Sequence, residues 1–238
     1  PMLPEPVTIA RAREFYGRRF DIPYPNETWP VGRPFKTSPL YAAHEARGAV
    51  FMSSFGFEAP AYFVPSGAAF EETPTFRRSN AFDIIGDECR AVRSDVGIID
   101  MSAISKFQIE GADAEAFLRR VIASPLPAVG HTLPALLLSA VGKIIGDLNV
   151  SRLANECYLL TAPTFMQAVY MRWFEKHRQG FDVLVRNMTD DLGGLFVAGP
   201  RAVELIDALS GHHKIGSVIG PGELTDGALG YAPCHVFK

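Results

Sequence analysis

Repeated prolines set the first limit on this chain. In "DIPYPNETWPVGRPFKTSPLY" (21–41) they fall every few residues, which removes backbone donors and forbids long helices and central strands. "RGAVFMSSFGFEAPAYFVP" (47–65) adds a short strand-like run, an aromatic cluster and more proline. Such a segment wraps over something else or connects two domains. Residues 1–79 are therefore read as a proline-rich linker or arm, and 80–238 as a second domain.

From Asn80 onward the pattern becomes regular. In "AFDIIGDECRAVRSDVGIID" the residues Ile84, Ile85, Cys89, Val92 and Val96 recur near helical spacing, with Gly97 as a stop. "KFQIEG" predicts a strand ending in a turn, and "ADAEAFLRRVI" a helix with Ala112, Ala116, Phe117 and Val121 on one side. "TLPALLLSAVGKIIGDLNVSRL" predicts two strands meeting at "AVGK" in a hairpin, and "ECYLLTA" a further strand. "PTFMQAVYMRWFEKHRQG" is the strongest helix, with proline near its start, glycine past its end and basic residues toward its C-terminus. "FDVLVRNMTDDLGGLFVAGP" predicts two strands flanking a turn at 190–194, and "RAVELIDALSG" a last helix closed by Gly211. The tail from residue 212 shows no clear element. This order of elements predicts an α+β layer arrangement.

Composition excludes several classes of function. With 23 basic and 26 acidic residues the net charge is −3, so there is no footprint for nucleic acid and no polybasic membrane patch. No apolar run reaches the roughly 18 residues needed to span a bilayer, and no secretory leader is visible. Cys89, Cys157 and Cys234 are odd in number and widely spaced, which fits neither a disulfide framework nor a metal knuckle. A reduced compartment follows as the expectation, either a bacterial cytoplasm or a mitochondrial matrix. The six histidines form no HxH or HExxH pattern, and no metal site is expected. Cys89 is read as a core residue. No Gly-x-Gly-x-x-Gly or phosphate loop is present.

One acid stands out. "IIGDLNVSR", read as a strand, puts Ile144, Gly146, Leu148 and Val150 on one face and Asp147, Asn149 and Ser151 on the other. In one reading Asp147 simply faces water. In the other it lines a cavity, accepts a hydrogen bond from an amine or stabilises developing positive charge, and Gly146 lets a flat ligand approach the backbone. The second reading requires a pterin-sized space beside the carboxylate.

"ECRAVRSDVGIIDMSAISKFQIEGADAEAFLRRVI", "LLLSAVGKIIGDLNVSRL" and "CYLLTA" together resemble the folate-binding aminomethyltransferase family, that of the glycine-cleavage T-protein, over roughly residues 80–210. "YPNETWPVGRPFKTSPLYAAHEARGAVFMSSFGFEAPAYF" resembles the linker region of dimethylglycine and sarcosine dehydrogenases. The resemblance implies an aminomethyltransferase-like fold with a mixed or antiparallel sheet and flanking helices. It implies capture on tetrahydrofolate of a one-carbon unit released by oxidative demethylation of an N-methylated glycine. Asp147 matches the family's acid that hydrogen-bonds the folate amine. Ile104 stands where the family often places a methionine against the folate, and Tyr158 near the strand position that borders the pocket. FAD would belong to a domain or flavoprotein partner absent from this chain. The family's Arg-x-Ser/Thr-Tyr-x-Gly-Glu-x-Gly segment is absent from these residues, so the domain is read as partial. Two other readings stay open: a non-catalytic interaction subunit docking on a flavoprotein, and a folate-dependent demethylase of a methylated sulfur or oxygen compound.

Overall fold

The computed structural model describes residues 4–238. The chain divides into two compact units, Pro1–Arg93 and Ser94–Lys238, a division that lies beyond the 79/80 boundary suggested by composition and assigns most of the "FDIIGDECRAVRS" helix to the first unit.

The proline-rich unit is more ordered than its composition suggests. It contains α1 (Glu5–Gly17) and α2 (Tyr41–Glu45), then a hairpin of β1 (Ala49–Ser54) and β2 (Phe57–Phe63), and ends with α3 (Phe82–Ser94). α1 has no buried residue, which is why no apolar periodicity announced it. The two hairpin turn residues, Phe55 and Gly56, both have positive φ, the geometry that matches strand twist in a two-residue turn. α3 has no buried residue either. Cys89, expected in a core, is exposed because that helix covers no deep core. The unit is held by a buried ion pair. The Arg33 guanidinium donates to Glu58 (Nε–Oε1 2.9 Å), to Thr28 Oγ1 at 2.6 Å and to the Phe51 carbonyl at 2.9 Å. The Glu58 side chain is only 3% exposed.

The second unit carries the remaining elements. They are β3 (Gly97–Asp100), β4 (Ser105–Glu110), α4 (Ala114–Val121), β5 (His131–Leu138), β6 (Ile144–Ala154), β7 (Cys157–Ala162), α5 (Gln167–His177), β8 (Leu184–Asn187), β9 (Leu195–Ala198), α6 (Ala202–Ser210), α7 (Ile215–Val218), β10 (Leu224–Leu229) and β11 (Ala232–Phe237). Five strands form one sheet in the order β5-β6-β7-β4-β8, and every neighbouring pair is antiparallel. The expected α+β class holds. The β5–β6 hairpin turns at 139–143, where Gly142 adopts φ +76°, as "AVGK" predicted.

β8 and β9 flank their turn as expected, but they join different partners. β8 pairs with β4, whereas β9 pairs with β3 in a separate two-stranded ribbon. The tail, without a predicted element, forms a short helix and the β10–β11 hairpin. Its strands carry small residues and a proline in place of an apolar alternation, so periodicity could not reveal them.

One face of the five-stranded sheet packs on α4 and α5. Phe107, Ile109, Leu148, Val150, Tyr158 and Leu160 meet Phe117, Leu118 and Val121 of α4 and Tyr170 and Phe174 of α5, all buried. Phe107 sits edge-on to both Tyr170 and Phe174, with centroids 6.2 and 5.5 Å apart, and such contacts add to simple area burial. Gly146 explains how closely α5 approaches. A side-chain carbon there would lie 2.1 Å from the Tyr170 hydroxyl and 2.8 Å from its ring. The Tyr170 hydroxyl uses this space to donate to the Asp147 carbonyl at 2.8 Å.

Two stability outcomes follow. Gly146→Ala should lower unfolding free energy by about 1–3 kcal/mol, the usual result of overpacking, and Tyr170→Phe in the same background should restore only part, because the ring itself stays in contact; urea titration measures both. Arg33→Met should cost about 3–5 kcal/mol by leaving Glu58 buried without its partner, and adding Glu58→Gln should recover part of that loss. An Arg33→Met protein as stable as the parent would contradict the role given to the ion pair.

Candidate active site on the open face of the sheet

The strand register decides which residues can act together. Asn149 lies opposite Thr161, and Thr161 opposite Lys106. Asp147, Asn149, Ser151, Thr161 and Lys106 therefore share the face turned away from α4 and α5, since directly opposed residues point the same way. Asp147 and Asn149 are exposed there. Leu148 and Val150 are buried on the other side, the alternation read from the sequence, although Ser151 on the Asp147 side is buried as well. The Asp147 carboxylate forms no ion pair among the described residues, while its backbone carbonyl is fixed from behind by Tyr170. An ionised carboxylate is acceptor-only, so a group with an N–H to donate is its natural complement.

Asp147 is exposed, so among the described residues its carboxylate stands on an open face, and the expected pterin-sized space would have to lie over that face. The first unit carries an open groove of about 390 Å³ lined by Arg11, Ala12, Glu14, Phe15, Tyr16, Trp29 and Val31.

The other expected site residues separate. Gly146 borders Asp147 in sequence, but the close approach it permits is made by Tyr170 on the core side. Tyr158 is fully buried on the core face, opposite Arg152 and Ile109, so it backs the sheet and does not line the Asp147 side. The Arg152 guanidinium lies 5.1 Å from its ring. Burial holds the Tyr158 phenol above its ordinary range, and its hydroxyl has no hydrogen-bond partner among the described residues. Ile104 is half-buried in the turn entering β4. No group of three or more metal-binding side chains occurs among the described residues, and no described helix is long and apolar enough to cross a membrane.

Sequence reasoning passed over Lys106. It is 4% exposed, yet its ammonium donates to the carbonyls of Ser102 at 2.9 Å and Ile104 at 3.0 Å. The segment after β8 closes over it. The Lys106 amide donates to Thr189 Oγ1 at 3.0 Å, the Thr189 hydroxyl donates to Asn187 Oδ1 at 2.6 Å, and the Gly194 amide donates to Ser102 Oγ at 3.2 Å. Burial lowers the pKa of this lysine to about 8, against the opposing pull of Asp100 and Asp190. The alternation in "SKFQIE" puts a lysine on the polar face, but only a segment more than eighty residues away in sequence buries it. Cys157 lies on the same face, and burial pushes its thiol up, which keeps it protonated and disfavours a nucleophilic role.

With this geometry in hand, comparison with known proteins identifies the family. The chain is 36% identical over 206 residues to mitochondrial dimethylglycine dehydrogenase of Rattus norvegicus, covering 85% of this chain and 24% of that protein. It is 32% identical over 198 residues to the mitochondrial pyruvate dehydrogenase phosphatase regulatory subunit of Mus musculus, covering 80% of this chain and 23% of that protein. The chain thus spans about a quarter of the length of these relatives. The crystal structure of glycine cleavage system aminomethyltransferase T from Bartonella henselae superposes with a TM-score of 0.61 at 23% identity, covering 80% of this chain and 47% of that one, a likeness of fold. The GCVT N-terminal domain profile matches residues 40–238, and the chain therefore belongs to the GCVT aminomethyltransferase family.

Proposed function

We propose that this chain carries the folate-side acid of a one-carbon transfer coupled to oxidative demethylation of an N-methylated glycine. The observation that carries the reading is Asp147: a carboxylate free of ion pairs among the described residues, held on the open sheet face by the Tyr170 bond to its own backbone. Its acceptor-only chemistry fits an amine, and the half-buried Ile104 offers an apolar contact for a flat ring. Tetrahydrofolate would supply the amine nucleophile that takes up the one-carbon unit. Asp147 would accept the amine hydrogen bond and favour positive charge developing beside it. Family membership and the dehydrogenase relative support this choice of substrate class. FAD chemistry belongs, in this proposal, to a flavoprotein domain or partner. The mitochondrial relatives and the three free cysteines support a reduced compartment, a mitochondrial matrix or a bacterial cytoplasm.

A second reading is favoured by one comparison. A relative of similar identity is named as a regulatory subunit, which supports a non-catalytic role; that the chain would then dock on a flavoprotein is part of the proposal.

The test is methylene transfer to tetrahydrofolate in the presence of a methylated-glycine-oxidising flavoprotein. Asp147→Asn should lower the rate by about a hundredfold, the scale of losing one charge-stabilising group, with little change in melting temperature because the side chain is exposed. Equal rates in the variant and parent would refute the role of Asp147. Co-purification with a flavoprotein, without any folate-induced rise in melting temperature, would favour the regulatory reading.

A further inference from the structure

A buried lysine whose ammonium is spent on backbone carbonyls needs a reason. Desolvating an ammonium is expensive, and an apolar side chain of similar length would fill the same volume between β4 and the 187–194 segment. The ammonium of Lys106 instead holds two carbonyls of one tight turn, those of Ser102 and Ile104. That turn is tied at its other points too. The Ser102 amide donates to Asp100 Oδ1 at 2.9 Å, the Met101 amide to the Gly194 carbonyl at 2.8 Å, and the Ile104 amide to the Met101 carbonyl at 3.1 Å. The segment lies close there: a side-chain carbon at Gly194 would sit a tight 3.3 Å from the Met101 carbonyl oxygen and at ordinary contact distance, 3.7 Å, from Lys106 Cε.

We propose that Lys106 is a positioning residue for folate, its ammonium fastening the 101–104 turn so that Ile104 is presented in one fixed place on the Asp147 side of the sheet. This rests on the folate reading given above and deepens it. The lysine does not touch the ligand. It removes freedom from a residue that does, and a pre-ordered contact binds more tightly than one that must be ordered on binding.

Charge matters to this role. Hydrogen bonds from an ammonium are roughly twice as strong as those from a neutral amine. The charged groups facing Lys106 are Asp100 from β3 and Asp190 from the turn after β8, and both favour the ammonium. As pH rises through about 8 the charge is lost, the turn loosens and folate binding weakens. Stability moves the other way. The native lysine loses its proton at lower pH than the unfolded lysine, whose pKa is about 10.4. Its charge therefore destabilises the fold fully below pH about 8, and that penalty is relieved as pH climbs toward the unfolded value. A lysine with a purely structural role would not make binding and stability run in opposite directions.

The experiment compares the parent chain, Lys106→Met and the exposed-site control Lys176→Met. Binding of 5-formyltetrahydrofolate is measured by calorimetry near neutral pH and about two units higher, together with urea unfolding and amide exchange at Ile104 and Gly194. Lys106→Met should bind roughly tenfold more weakly at neutral pH, the worth of one charge-assisted bond. Its Ile104 and Gly194 amides should exchange faster, its resistance to urea should match or exceed the parent's, and the affinity gap should shrink at high pH. Binding by the parent with no gap and unchanged exchange would overturn the inference while leaving the folate reading intact. No binding by the parent would overturn the folate reading, and this inference with it. If Lys106→Met does not fold, the parent's own pH series decides, and affinity that stays flat across pH 8 overturns the proposal.

Discussion

The contact on which the site depends is the hydrogen bond from the Tyr170 hydroxyl to the Asp147 carbonyl, made across the space that a side chain at residue 146 would fill. It couples the core to the strand segment that carries Asp147. Tyr170 is fully buried in the aromatic cluster with Phe107 and Phe174, so it cannot adjust without disturbing that packing. The backbone of β6 is thereby fixed from behind, and the Asp147 carboxylate is directed to the opposite face. A glycine expected to admit a ligand admits a tyrosine instead, and the effect is to hold the neighbouring acid in place.

The open face has two anchors of different kinds. At β6, apolar packing on the far side fixes a carboxylate. At the entrance to β4, a buried ammonium and the returning 187–194 segment fix a turn carrying Ile104. Each anchor draws on contacts distant in sequence, Tyr170 in one case and Thr189 and Gly194 in the other. The arrangement supports the folate reading through its acceptor and its apolar contact.

Local patterning made much of the second unit legible. The alternation in "IIGDLNVSR" separated Asp147 from Leu148 and Val150, the apolar stripe of "AEAFLRRV" announced α4, and "AVGK" marked the β5–β6 turn. What stayed hidden was non-local or lacked a pattern. β9 pairs with β3 because Gly194 and Met101 are drawn together, a contact that no window of sequence contains. α1 buries nothing and so has no apolar period. Tyr158 sits in a strand whose apolar residues fall on both faces, so the side it serves is decided by its register with Arg152 and Ile109. Lys106 reads as a surface charge until the segment that buries it is placed.

Folate is proposed to engage the face bearing Asp147 together with the turn that carries Ile104. The most direct measurement is the set of backbone amide shifts perturbed when 5-formyltetrahydrofolate is added to the isotope-labelled chain. The account predicts perturbations concentrated at Asp147, Asn149 and the 101–104 turn, with none in the groove formed by Arg11, Phe15 and Trp29. Perturbations confined to that groove, or none anywhere at saturating ligand, would contradict it.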